Sequence, residues 1–314
     1  MNLVKDMEAL RWDEVNQMIS EGFQFPSKED IQTLERQKRD DENYELSDEE
    51  YRSILITYLY NWYSKIPSPT PRKILKCKNF VCPESRQAGL DMIEEEIKNG
   101  ACLKRRLSRK IYDPAYKDDM MFDFGICHLH LGTTMDRHHP SLIQGGREIL
   151  YLFFTRDTAV FIKIDEHGLW NDRDLLKELN DSFPDVLEPY KSRLESVDDY
   201  TDDERAEKKN ENINTSLKID GQTFMPPGGG TMINGTSRKS TEFLMCEQKK
   251  LCEIQDKITS CIKNNNLEEK IFNGQEQLKM IFCDLNQKKV KLRDDMNRVI
   301  CVYFNGQLDF KKYE

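Results

Sequence analysis

The chain has 314 residues, 33% of them charged and 38% hydrophobic, with a formal net charge of −9 and a pI near 5.3. That length favours two or three folded units, and the acidic balance disfavours a protein whose whole surface grips nucleic acid, because affinity for phosphates comes mainly from Lys and Arg. The longest unbroken apolar run, Ile149 to Phe154, is far short of the roughly 20 residues that span a bilayer, and residues 1–22 lack the succession of a secretory signal.

Residues 1–65 read as helices. Leu3, Met7, Leu10, Val15, Met18 and Ile19 recur at helical spacing until Phe23-Gln-Phe-Pro26. Ser47 then caps a second helix with Glu50 at the capping-box position, and Tyr51, Ile54, Leu55, Tyr58, Leu59 and Trp62 form its apolar stripe. Prolines at 67, 69 and 71 mark an extended linker. A helix over Glu84 to Lys98 ends at Gly100, and the stretch Ala101 to Lys117 carries six basic residues and one acid, Asp113. Such a run is either a solvated face or a local phosphate-binding patch.

Three strands follow, Phe124 to Leu131, Glu148 to Phe154 and Thr158 to Asp165, the last two forming an antiparallel hairpin. A helix capped by Asn171 or Asp172 runs through Leu175, Leu176 and Leu179 to Pro184, and residues 195–207, with seven acids and one arginine, form a solvated connector or short polar helix. Asp220-Gly221 turns a second hairpin between Ile213 and Met225. Pro226-Pro-Gly-Gly-Gly230 leads into a long helix over 239–262 capped by Ser240 or Thr241. Leu278 to Leu285 and Arg298 to Phe304 then predict a small sheet with a turn at Asn305-Gly306. The expected fold is therefore α+β. A helical segment spans 1–70, a central unit with a β-meander 71–194, an acidic connector 195–211, and a C-terminal α+β unit 212–314.

All five histidines fall between His128 and His167. In Cys127-His-Leu-His-Leu131 the two imidazoles are two residues apart on a strand, so they share one face while Cys127, Leu129 and Leu131 take the other. Three accounts fit. In the first, His128, His130 and a third group such as His139, His167, Asp165 or Glu166 hold zinc with an open position. In the second, no metal is needed: imidazoles act as general acid and base on a phosphodiester while Arg147, Arg156 or the basic run at Arg105, Arg106 and Arg109 stabilises phosphate charge. In the third, the histidines are structural.

The order of a basic segment, Gly125-Ile-Cys-His-Leu-His-Leu131, Arg147-Glu-Ile-Leu-Tyr-Leu-Phe-Phe154 and Asp157-Thr-Ala-Val-Phe-Ile-Lys-Ile-Asp-Glu-His167 resembles the central meander of RelE/HigB-type bacterial mRNA interferase toxins. The resemblance spans Ala101 to His167. It implies a ribonuclease that cuts mRNA, usually on the ribosome, without metal, with Arg147, Tyr151 and His167 in the site. His128 and His130 stand where that family prefers Arg or Lys, Gly168 replaces its usual basic residue, and this chain is longer and acidic. The wider pattern, through Asp220-Gly221 and the glycine run, is similar to a family of uncharacterised bacterial proteins.

The glycine-rich turn at 226–230 departs from a Walker A loop, since Thr236 stands where Lys belongs and Lys239 comes too late. It is a flexible turn or a phosphate contact helped by Arg238 and Lys239. Nine cysteines without a CxxC pair indicate reduced thiols in a cytoplasmic protein. The function expected is RNA cleavage in toxin–antitoxin or anti-phage defence, with no cofactor and RNA or the ribosome as partner. The alternatives are a zinc-dependent hydrolase and a non-catalytic module that binds a protein through its N-terminal helices or the helix 239–262.

Overall fold

In the computed structural model, which describes residues 2–168, 173–193, 200–264, 279–284, 289–293, 299–304 and 307–310, each of the first three helices begins at a side-chain cap. Asn2 accepts from the Lys5 amide to start α1 (Leu3–Ser20), and Ser27 forms a capping box with Asp30 at α2 (Lys28–Arg39). Ser47 does the same at α3 (Asp48–Ser64): its hydroxyl accepts from the Glu50 amide at 3.2 Å, and the Glu50 carboxylate accepts from the Ser47 amide at 3.0 Å. The chain divides into two compact units, Met1–Tyr60 with Thr241–Glu314, and Asn61–Ser240.

The unit Asn61–Ser240 is built on a four-stranded sheet. Its strands are β1 (Lys73–Lys76), β2 (Ile126–His130), β3 (Glu148–Phe154) and β4 (Thr158–Glu166), in the order β1-β4-β3-β2. The expected antiparallel meander is present, with His128 opposite Tyr151, His130 opposite Ile149, and Glu148 opposite Glu166. A bulge displaces β4 beside Tyr151. β1, not anticipated, adds a parallel edge to β4.

Ile126, Ile149, Tyr151, Phe153, Val160 and Ile162 share a core with Leu175, Leu176 and Leu179 of α5 (Asp174–Ser182) and Leu187 of α6 (Pro184–Leu187). Each such fully buried aliphatic contributes about 1.5–3 kcal/mol. The caps expected for α5, Asn171 and Asp172, lie outside the described residues. α4 (Gln87–Lys98) buries Leu90, Ile93 and Ile97, and its Gly89 leaves room for the Leu131 carbonyl, which a Cβ would strike.

Part of the acidic connector is α7 (Asp202–Asn210), started by a capping box of Thr201 and Glu204. It is not wholly solvated. Arg205 and Lys209 are buried and reach the buried Asp123 carboxylate at 2.5 and 2.7 Å. The hairpin of β5 (Leu217–Ile219) and β6 (Gln222–Phe224) turns at Asp220 and Gly221, both with positive φ (47° and 78°), as a type I′ turn requires.

The glycine run is a packing device. Met120–Phe124 forms a π-helical turn in which the Gly125 amide donates to Met121 O at 3.1 Å. The Gly228 amide donates to Asp123 O at 2.9 Å and the Gly230 amide to Phe122 O at 2.7 Å, while Gly229 donates to Pro226 O. These amides are thus engaged and do not offer an anion nest. A Cβ on Gly228 would collide with the carbonyls of Met121 and Phe122. Gly228→Ala is therefore expected to lower stability by about 1–3 kcal/mol, read as a lower urea midpoint, whereas an unchanged midpoint would mean the loop is not seated there.

α8 (Arg238–Asn264) starts slightly earlier than its sequence suggests, with the Ser237 hydroxyl accepting from the Lys239 amide at 3.2 Å. In the unit Met1–Tyr60 with Thr241–Glu314, Leu3 and Met7 of α1 pack with Leu251, Ile254 and Ile258 of α8 and with Met280, Val290 and Leu292. The last three come from an antiparallel sheet ordered β10-β9-β8-β7: β7 (Lys279–Asp284), β8 (Lys289–Arg293), β9 (Val299–Phe304) and β10 (Gln307–Phe310). β8 was not foreseen, and the Asn305-Gly306 turn lies outside the described residues. No described helix is long and apolar enough to cross a membrane.

Candidate functional site

Antiparallel pairing carries the histidine parity into three dimensions. Because β3 pairs with both β2 and β4, the end of β2 and the end of β4 lie on either side of the start of β3, and His167, one residue past β4, joins the β2 pair. The rings of His130 and His167 stand 5.4 Å apart between centroids and those of His128 and His167 6.2 Å, nearly perpendicular. His167 is fastened through the backbone on both sides. Its amide donates to Arg147 O at 3.3 Å, and the Tyr151 hydroxyl donates to Glu166 O at 2.7 Å. Tyr151, expected as a catalytic residue, is only 1% exposed and holds this corner in place.

His128 and His130 differ from His167 in burial. His130 is 8% exposed, its ring against Gly145, and its Nδ1 has no hydrogen-bond partner among the described residues. Burial, then the imidazoles of His128 and His167, push His130 down to about 4. Burial also lowers His128, against the pull of the Asp118 carboxylate. His167 is exposed. Both lowered groups are therefore neutral at pH 7.

The linkage follows from the direction. Between the unfolded value near 6.5 and the folded value of about 4, the unfolded chain binds the extra proton, so stability is full above the window and falls as pH drops through it. His130 alone accounts for about 2 kcal/mol lost by pH 5 and about 3 kcal/mol by pH 4, and His128 acts in the same direction. Urea midpoints at pH 7.5 and pH 5 measure this. His130→Gln should flatten the dependence, and identical slopes for both proteins would refute the assignment.

Two cavities meet at this corner, sharing Leu107, Ser108 and His167. The outer one, about 840 Å³, is lined by His130, His167, Arg109, Arg137 and Arg147 among others. Arg147 pairs with Glu166 at 2.7 Å and Arg109 with Asp136 at 2.8 Å, yet their side chains remain 78% and 59% exposed. Arg137 is exposed and makes no ion pair among the described residues. The inner cavity, about 210 Å³, takes in His128, Tyr151, Tyr116, Asp118 and Lys65. Lys65 donates to the carbonyls of Asp113, Pro114 and Tyr116 at 2.9, 3.3 and 3.1 Å, and burial lowers it to about 8.

Within the basic run, Arg105 and Arg106 are tied to Glu96, while Arg109 faces the outer cavity. Arg106 is fully buried, and its guanidinium donates two bonds to Glu96 at 2.6 and 2.8 Å and two more to the carbonyls of His130 and Gly132 at 3.2 and 3.0 Å. Arg105 reaches the same carboxylate at 2.5 Å. Burial would raise Glu96, but the two guanidiniums outweigh it and hold it below the ordinary carboxylate value. Asp136, drawn down to about 2 by Arg109 first, also accepts from the amides of His138 and His139 and so fixes the loop after β2.

Arg156 sits in the turn between β3 and β4, at the opposite end of the sheet from the imidazoles. Arg238 and Lys239 line neither cavity. His139 rests against Tyr112 at 5.3 Å, so the imidazole that joins the β2 pair is His167. Among the described residues, no three His, Cys, Asp or Glu side chains are grouped so as to hold a metal ion. Lys65, Asp118 and Arg137 carried no motif that would have singled them out. Comparison with known proteins gives no match: no family model fits the chain, and no curated protein or solved structure matches it.

Proposed function

We propose that the protein is a metal-independent endoribonuclease whose site is the corner of His128, His130 and His167. The observation that carries this reading is the pair His130 and His167, 5.4 Å apart at the wall of a cleft whose rim bears Arg109, Arg137 and Arg147. Two neighbouring imidazoles can divide the roles of base and acid on a phosphodiester, and guanidiniums match its oxygens.

Neutral His130 takes the proton of a ribose 2′-hydroxyl as its oxygen attacks phosphorus. His167, as general acid, gives a proton to the departing 5′-oxygen, so the P–O5′ bond breaks as the 2′-O–P bond forms. The products are a 2′,3′-cyclic phosphate and a free 5′-hydroxyl. Arg147 and Arg109, both among the arginines expected to meet phosphate, balance charge on the phosphoryl oxygens. His128, edge-on to His167, and Tyr151, through Glu166, act as positioning residues.

Purified full-length protein incubated with RNA and a chelator tests this. Cleavage leaving cyclic phosphate ends, lost in the His128→Ala/His130→Ala double variant, is the expected result. RNA left intact, or cut equally by the double variant, would sink the reading. Induction in a bacterium should arrest growth with the intact chain and not with the double variant, in keeping with a role in toxin–antitoxin or anti-phage defence.

A further inference from the structure

The inner cavity has a chemistry of its own. It adjoins the cleft at His167, holds about 210 Å³, and suits one planar ring system rather than a sugar and phosphate. Met120, Met121, Tyr116 and Tyr151 supply polarisable and aromatic lining of the kind on which bases stack. Its one carboxylate, Asp118, is half-buried. Asp118 Oδ1 accepts from the Met121 amide at 3.0 Å, and the other oxygen has no hydrogen-bond partner among the described residues. Lys65 has directed its ammonium to three backbone carbonyls, so it contributes positive field to the cavity wall and leaves base-edge hydrogen bonding to Asp118.

We infer that this cavity receives a guanine base adjoining the scissile phosphate, with Asp118 as its specificity-determining residue; the inference rests on the ribonuclease reading for its orientation. Guanine alone presents two neighbouring donors, N1–H and N2–H, that fit the two oxygens of a carboxylate. Adenine and cytosine offer an exocyclic amine beside an acceptor that the carboxylate repels. Uracil sets its single donor between two carbonyls. The field of Lys65 favours the electron-rich O6 of guanine.

Two measurements on the full-length protein separate this inference from the reading beneath it. The first is calorimetric titration with guanosine, adenosine, cytidine and uridine 3′-monophosphates. The guanosine nucleotide should bind roughly 10- to 100-fold more tightly, the discrimination expected of a two-point base contact. Asp118→Asn, which keeps an acceptor for the Met121 amide, should abolish that preference, while Tyr116→Leu should weaken all four nucleotides and preserve it. The second measurement maps cuts in RNA oligomers that differ at one nucleotide. Guanosine-selective binding without cleavage would keep the pocket and discard the nuclease. Cleavage without guanosine preference would keep the nuclease and overturn the pocket. Equal or absent binding of the four nucleotides by the wild-type chain overturns the inference directly.

Discussion

Alanine at His130 is expected to slow RNA cleavage by a factor of roughly 10² to 10⁴ in kcat with little change in KM, because the imidazole acts on a proton in flight rather than on ground-state binding. Alanine at His167 should do the same, and the double variant should be hardly worse than either single, since a base without its acid, or an acid without its base, is no longer one machine. His128→Ala should cost less, because His128 meets His167 edge-on and lines the inner cavity instead of the cleft. The pH profile supplies a readout that a merely structural role would not move. His130 must be neutral to accept a proton and is held at about 4, so the rising limb of kcat/KM lies near pH 4 instead of the ordinary 6.5. Full activity of His130→Ala and His167→Ala, in proteins with native thermal transitions, would remove both residues from the mechanism.

What the sequence made legible is what depends on local rules. Alternation places His128 and His130 on one face, the Asp220-Gly221 pair demands its turn, and Ser47 with Glu50 announces α3. The approach of His167 follows as well, since a hairpin register returns the end of β4 to the start of β3. The rest depends on partners distant in sequence. β1 is four residues, largely exposed, and becomes a strand because β4 offers it an edge more than eighty residues later. The run from Arg105 to Arg109 looks like a free cationic patch until Glu96 and Asp136 are seen to hold it. A histidine count could point to the corner, but nothing in the order of residues points to Lys65 or Asp118, whose significance comes from facing a cavity.

The Arg106 network gives the largest expected effect on stability. Its guanidinium is fully buried and joins α4 to the end of β2 through four hydrogen bonds, two of them to the carbonyls of His130 and Gly132. Arg106→Ala strands the Glu96 carboxylate in a site 8% exposed, with Arg105 as its remaining cationic neighbour, and leaves two carbonyls unsatisfied. Breaking one side of a buried pair costs about 3–5 kcal/mol, and the surviving contact with Arg105 places this case near the lower figure. Arg106→Lys should recover little, because a point charge cannot reproduce the two-pronged fork on Glu96 and reach both carbonyls. The combined Glu96→Leu/Arg106→Met variant should be more stable than Arg106→Ala, since it removes the stranded charge along with its partner. Urea denaturation ranks the three. If Arg106→Ala unfolds at the wild-type midpoint, the network does not anchor β2, and Arg105 and Arg106 would be open again to the phosphate-binding role expected of them.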